Sequence, residues 1–381
     1  MAALNFYPTT EEALAHGVPE SEVVMYKRYA YQQAFGIDRW YEQLRAHTFE
    51  TWFITLTADD VETLLSGASE CRGQPLTAVR RWVEQGGASS LRQRLQASFD
   101  EVGEPAFVKL NTRSPKDVVV DAFDEEDVVQ RVTSDVARLL RAVPRDKQDA
   151  VSRLIAAFVT SCTDLLRCED ATAALALLLR SRRMREDLGK VHAFGAGAVP
   201  ASITLRRWEP AVAACPEGEL RGFVNGGTLN ALSQYDDVTH YPRLVAQRDA
   251  VAARIRAFFD DCCRSQLGAA GFETFVIDFH INVNCASDEL RDAAVRVVEL
   301  NPFHIGAGPC LFSWRDDREK FLHGPFEFRV VETDVPRTKG SDPLECLPVR
   351  WERHLRATAK QAGLPLDSEK EEKSAGKCVV S

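Results

Sequence analysis

The chain has 381 residues, 45% hydrophobic and 27% charged, with a net charge of -9. That length supports two or three lobes rather than one core. The acidic balance excludes a surface built to neutralise nucleic-acid phosphates, so no direct nucleic-acid partner is expected.

The ten cysteines are scattered, and Cys262 and Cys263 stand side by side instead of as a Cys-x-x-Cys pair, which fits a reduced, intracellular protein. The start, MAALNFYPTTEEA, lacks a basic and apolar leader. The most apolar run, Ala173 to Leu179, is too short to cross a bilayer. A soluble, cytoplasmic, monomeric chain is the expectation.

In chain order, Glu42 to His47 and Ala58 to Leu65 carry helical apolar spacing, and TWFITL between them (Thr51 to Leu56) reads as a strand. AFVKLN follows Pro105 as a strand and leaves into the turn-rich TRSPKD, placing Lys109 and Asn111 at a strand mouth. From Asp124, Val128, Val132, Val136, Leu139 and Val143 recur at helical steps before Pro144, and Val151, Ile155, Phe158, Cys162 and Leu166 repeat the pattern. Two helices packed as a hairpin follow from this spacing. Strands are expected at Ile203 to Trp208, Leu220 to Val224, Leu229 to Leu232, Thr274 to Val283 and Val295 to Leu300. The charged end of the chain, DSEKEEKSAGK, is too poor in apolar residues to fold.

The stretch VVELNPF poses the functional question. Residues two apart on a strand share a face, so Glu299 and Asn301 point together, as do Asp278 and His280 on the preceding strand. If the strands pair, two carboxylates and an amide oxygen converge as the hard-oxygen set that Mg²⁺ takes beside nucleotide phosphates. The plainer reading ends a surface strand at Glu299 and makes a turn at Asn301 before Pro302. Lys109 supplies a cation for phosphate, with Ser114, Lys116 and loop amides able to close over it. Neither a Walker-type loop nor a dinucleotide fingerprint occurs. His280 and His304 lack compact zinc spacing, and Trp40, Trp52 and Trp314 read as packing aromatics. The cluster Arg180, Arg182, Arg183 and Arg185 reads as a solvated face in preference to a phosphate or RNA grip.

Several separated blocks share one order: DRWYEQLRAHTFETWFITL, KLNTRSPKD, LLLRS, TLRRW, ELRGFVNGGTLNALSQYD, VIDFH and ELNPF followed by CLFSW. In that order they resemble the cell division cycle protein 123 family, across roughly residues 37 to 330. The resemblance implies an α+β, ATP-grasp-like, two-lobed fold binding ATP and Mg²⁺. It also implies a role in assembling translation initiation factor 2 through its gamma subunit. Carried over, Lys109 would contact phosphate, while Asn111, Ser114 and Asp117 would shape its loop. Arg207 and Trp208 would stand at the adenine hinge, Arg221 would face the phosphates, and Asp278, Glu299 and Asn301 would hold the metal. The sequence departs from the family pattern at Glu299 (usually aspartate), Arg207 (lysine), Leu220 (phenylalanine), Gly222 (cysteine) and Tyr235 (arginine). The helical hairpin from Asp124 to Arg167 is an enlargement relative to the family.

The lobes are expected over residues 1–200 and 201–357, with a disordered tail over 358–381. An ATP-dependent assembly chaperone is the leading reading, and an ATP-grasp ligase or phosphotransferase acting on a carboxylate or protein substrate is the alternative. The terminal CVVS forms a prenylation signal on Cys378, with serine favouring farnesyl. One lipid gives only weak membrane residence, and Glu369, Glu371 and Glu372 offset Lys370, Lys373 and Lys377 beside it.

Overall fold

The computed structural model describes residues 8–103, 105–122, 125–142, 150–195, 199–285, 289–333, 349–364 and 366. It is a mixed α+β protein built on two sheets. The first contains β1 (Thr51–Thr55), β2 (Ala106–Leu110), β3 (Arg167–Cys168) and β4 (Ser202–Arg207), ordered β1-β4-β2-β3 with antiparallel neighbours. The second contains β5 (Glu219–Asn225), β6 (Thr228–Gln234), β7 (Phe275–Ile281), β8 (Val295–Pro302) and β9 (Glu327–Arg329), ordered β8-β7-β5-β6-β9. Only β6 and β9 pair in parallel.

The expected strands are present with ends shifted by a residue or two. The helix placed at Glu42–His47 begins earlier, running Ile37–Leu44 and tightening into a 3₁₀ turn at Arg45–His47. Thr57 and Asp60 start the helix Ala58–Glu70 with a capping box, each side chain taking the other's backbone N–H. The apolar run Ala173–Leu179 lies in the helix Ala171–Arg180, buried on every face in the first sheet's core. Among the described residues no helix is long and apolar enough to cross a membrane, and the cysteines are free thiols.

β7 is buried along its whole length, as the middle of a covered sheet requires. Phe275, Ile277, Phe279 and Ile281 enter one core together with Ile37, Trp40 and Leu44. On the opposite face, Val276 joins Phe223, Phe312 and Phe321. Asp278 and His280 share that second face, where burying polar groups demands partners.

A third core lies between the helices Glu126–Ala142 and Ala150–Asp164. Val128, Val132 and Val136 are buried as the spacing predicts, but Leu140 takes the next place instead of Leu139, and Val143 lies outside the described residues. The region expected to be tail from residue 358 begins inside a helix, Val349–Gln361, which closes this core with Trp351, Leu355 and Ala359. Four-residue apolar spacing gave those positions a face to bury. Cys378 lies outside the described residues.

Trp351 is fully buried, stands 5.3 Å from the Phe158 ring and donates its indole N–H to the Val120 carbonyl at 3.1 Å. Trp351→Ala removes this packing and leaves a cavity, so the unfolding free energy is expected to fall by about 3–5 kcal/mol. Urea titration followed by circular dichroism measures it; a loss below about 1 kcal/mol means that the last helix does not hold the core.

Candidate functional site

The site begins with a phase change in β8. Val295 pairs with Ile281 and Val297 with Phe279, but Glu299, not Val298, pairs with Asp278. Val298 is therefore an extra residue, a β-bulge. Val295 and Val297 point into the core, and unbroken alternation would send Glu299 after them. The bulge turns Glu299 and Asn301 to the opposite face and leaves Leu300 in the core.

The first sheet holds the bulge. Arg206 donates to the Val298 carbonyl at 2.7 Å and to Thr48 Oγ1 at 2.8 Å, and Thr48 Oγ1 donates to the Val297 carbonyl at 2.7 Å. Burial brings the Arg206 guanidinium down to about 10.

At one level of the second sheet the register places Arg329, Ser233, Arg221, Asp278 and Glu299 side by side on successive strands. Arg221 grips Asp278 with two bonds of 2.7 Å, Nε to Oδ1 and Nη2 to Oδ2, and donates from Nη1 to the Gly308 carbonyl at 2.9 Å. Burial opposes the Arg221 charge, but Asp278 outweighs it and raises its pKa. Lys109 crosses from β2 to Glu299 Oε2 at 2.9 Å. Burial pushes the Glu299 carboxyl up, yet Lys109 and then Lys116 prevail and hold it well below the usual carboxylate range. Asn301 Nδ2 donates to Asp278 Oδ2 at 3.2 Å and Glu299 Oε1 at 3.4 Å, tying the two carboxylates together.

Beside this cluster a cleft of about 520 Å³ opens between the sheets. Phe107, Val119, Phe158, Val159, Cys162 and Leu166 form an apolar wall, and Lys116, Arg206, Arg207, Trp208, Glu219 and Tyr235 contribute polar groups. Lys116 is exposed into the cleft, which the Glu219 carboxylate and the Tyr235 ring also line. Arg207 pairs with Glu50 at 2.9 Å, and the Trp208 N–H is fixed by the Pro105 carbonyl at 2.8 Å.

The structure thus brings Lys109, Arg221, Asp278, Glu299 and Asn301 together and sets Arg207 and Trp208 on the neighbouring cleft. Asn111 instead donates to Gln33 Oε1 at 3.0 Å and Asp38 Oδ1 at 3.1 Å. Asp117 accepts from Ser181 Oγ at 2.6 Å and from the Arg182 and Arg183 N–H groups, capping the helix Arg182–Phe194. Both carry the turn after β2, and Ser114 is buried within it. Of the arginine cluster, Arg180 is taken by Glu125 at 2.5 Å and Arg182 by Glu186 at 3.3 Å. His280 lines the cleft with its Nε2 at 3.1 Å from the Cys215 carbonyl.

Sequence reasoning gave no role to Arg206, Glu219 or a tyrosine at position 235, because their significance comes from the opposing sheet. Among the described residues no group of three or more His, Cys, Asp and Glu side chains is arranged to hold a metal. As placed, Asn301 turns its amide N–H, not its oxygen, to the two carboxylates and Arg221 takes both oxygens of Asp278, so these residues would offer oxygens to Mg²⁺ only after exchanging those bonds, with ligand and water oxygens completing an octahedron.

Two sheets with a cleft between them, and a buried cluster of opposite charges beside it, define a mixed α+β protein of two sheets. Residues 78–345 match the D123 family model, and the chain belongs to that family. It is similar to cell division cycle protein 123 of Aspergillus terreus, 33% identical over 116 residues, covering 30% of this chain and 24% of the relative. Similarity to the translation initiation factor eIF2 assembly protein of Aspergillus fumigatus runs over 278 residues at 23% identity, covering 73% of this chain and 54% of that protein. The namesake from Danio rerio is 30% identical over 116 residues, covering 30% and 29%. The chain thus spans between about a quarter and a half of the curated relatives it matches. The fold is shared with Cdc123 from Schizosaccharomyces pombe: the TM-score is 0.50 at 19% identity, covering 78% of this chain and 96% of that one.

At the far end of the polar row, Arg329 holds Asp317 with bonds of 2.7 and 2.9 Å, and the Ser313 N–H adds one of 2.8 Å. Burial raises the Asp317 carboxyl, but Arg329 and Ser313 outweigh it and lower its pKa. Its contribution is therefore complete above the unfolded value, about 3.9, and is lost as the pH falls toward the depressed folded value. Asp317→Asn is expected to cost about 1–2 kcal/mol at pH 7, and the gap from the parent should shrink below about pH 3.9. Unfolding midpoints across that range measure it; a gap that stays constant in acid contradicts the assignment.

Proposed function

We propose that this chain binds Mg²⁺-ATP in the cleft between its two lobes, in an ATP-grasp-like arrangement, and acts as an assembly chaperone for translation initiation factor 2 through its gamma subunit. The observation that supports the nucleotide reading is the gathering of three cations, two carboxylates and one side-chain amide beside a largely apolar cleft. Lys109, Lys116 and Arg221 would hold the phosphates. Asp278, Glu299 and Asn301 would hold Mg²⁺, which supplies neutralisation of phosphate charge. The base would lie toward Trp208 and the apolar wall.

The client reading is supported by the names of the relatives, two of which are eIF2 assembly proteins. An assembly role needs only that nucleotide favours the lobe arrangement that grips the client. It does not require covalent modification of the client.

Calorimetric titration with Mg²⁺-ATP should show binding, weakened about ten- to a hundredfold in Lys116→Ala and Asp278→Ala. Lys116 is exposed, so its variant separates ligand contact from misfolding. Equal affinity in all three proteins removes the site assignment. Purified translation initiation factor 2 gamma subunit should bind the chain without change in mass. Sustained ATP turnover with a modified gamma subunit would instead make the chain a ligase or phosphotransferase.

A further inference from the structure

Tyr235 follows the last residue of β6 and lies half-buried in the cleft wall. Two cations from different lobes meet its ring: Lys116 Nζ lies 5.2 Å from the ring centroid and the Arg221 guanidinium carbon 4.8 Å. Both distances fall within the range where the ring quadrupole attracts a cation. Their restraints differ. Arg221 is fixed by Asp278 and by the Gly308 carbonyl. Lys116 makes no salt bridge among the described residues, so the ring is the contact that orients its flexible stem.

The ring itself is well placed for this. The Tyr235 N–H donates to the Glu219 carbonyl at 3.1 Å. The next residue, Asp236, accepts from Tyr241 Oη at 2.9 Å and from the Val238 and Thr239 N–H groups. These bonds fix the backbone that carries the ring, and the ring in turn lies between two positive charges that otherwise repel across the cleft.

We propose that Tyr235 is a positioning residue for a polyphosphate, holding Lys116 and Arg221 at a spacing that suits successive phosphates. The proposal rests on the nucleotide reading above and deepens it. Binding should strengthen with phosphate number, because a single phosphate can use only part of the pair. The hydroxyl is not required, since the ring face makes the contact.

Calorimetry with Mg²⁺-ATP, AMP and inorganic tripolyphosphate on the parent, Tyr235→Phe and Tyr235→Leu tests this. Tyr235→Phe should stay within about twofold of the parent, whereas Tyr235→Leu should lose about three- to thirtyfold toward ATP and tripolyphosphate. AMP affinity should change less than about twofold. Unchanged ATP and tripolyphosphate binding in Tyr235→Leu overturns the proposal, as does equal loss for AMP and ATP or an equal loss in Tyr235→Phe. If the parent takes tripolyphosphate but not ATP, the nucleotide reading fails, and the tripolyphosphate comparison between parent and Tyr235→Leu still decides the role of Tyr235. A parent that binds neither overturns both.

Discussion

A lysine whose side chain is only 3% exposed must have a counter-charge, because an unpaired buried ammonium costs several kcal/mol. Lys109 finds its carboxylate in the other sheet. The neighbouring strand β4 brings a second buried cation, Arg206, and it too reaches across, to the backbone of the bulge. Two positive charges on one sheet are thus answered by oxygens on the other. The separation of the two sheets at this point is set by polar bonds of nearly fixed length. Apolar packing alone would tolerate sliding; a lysine–carboxylate contact of 2.9 Å does not.

The second sheet meets a matching requirement. Asp278 and Glu299 face each other on adjacent strands, where like charges repel. Arg221 and Lys109 neutralise one each, and Asn301 bridges them. The result is a small ionic layer inside a largely apolar fold, costly to desolvate and strongly specified once formed. Such a layer has few alternative arrangements, so the geometry of its donors is rigid.

Much of this was legible in the sequence, and the limits have physical causes. Aromatic and β-branched residues marked β1, and the two-residue spacing put Glu299 and Asn301 of β8 on one face. That this face lies away from the core was hidden, because a bulge exists only relative to the partner strand. Asn111 and Asp117 stand near Lys109 in sequence, where a role in shaping its loop was expected, and both tie that turn down. Their actual partners, Gln33, Asp38 and Ser181, lie far away along the chain, and no local pattern announces them. The strands Arg167–Cys168 and Glu327–Arg329 are too short for any period to show. The juxtaposition of Lys116, Tyr235 and Arg221 depends on both sheets and carries no spacing signal at all.

The helix that closes the third core has a consequence for how the protein is made. Val349–Gln361 packs against Glu126–Ala142 and against Ala150–Asp164, whose residues Phe158, Val159 and Cys162 wall the cleft. On a ribosome the chain emerges from its N-terminus, so those cleft-wall residues wait for Trp351 through nearly two hundred further residues of synthesis. All the strands precede the helix Val349–Gln361 in the chain, so the apolar wall lacks its backing until that helix has been made. A chain cut before Val349 still holds the sequence of every strand in both sheets but leaves Phe158 without the Trp351 ring behind it.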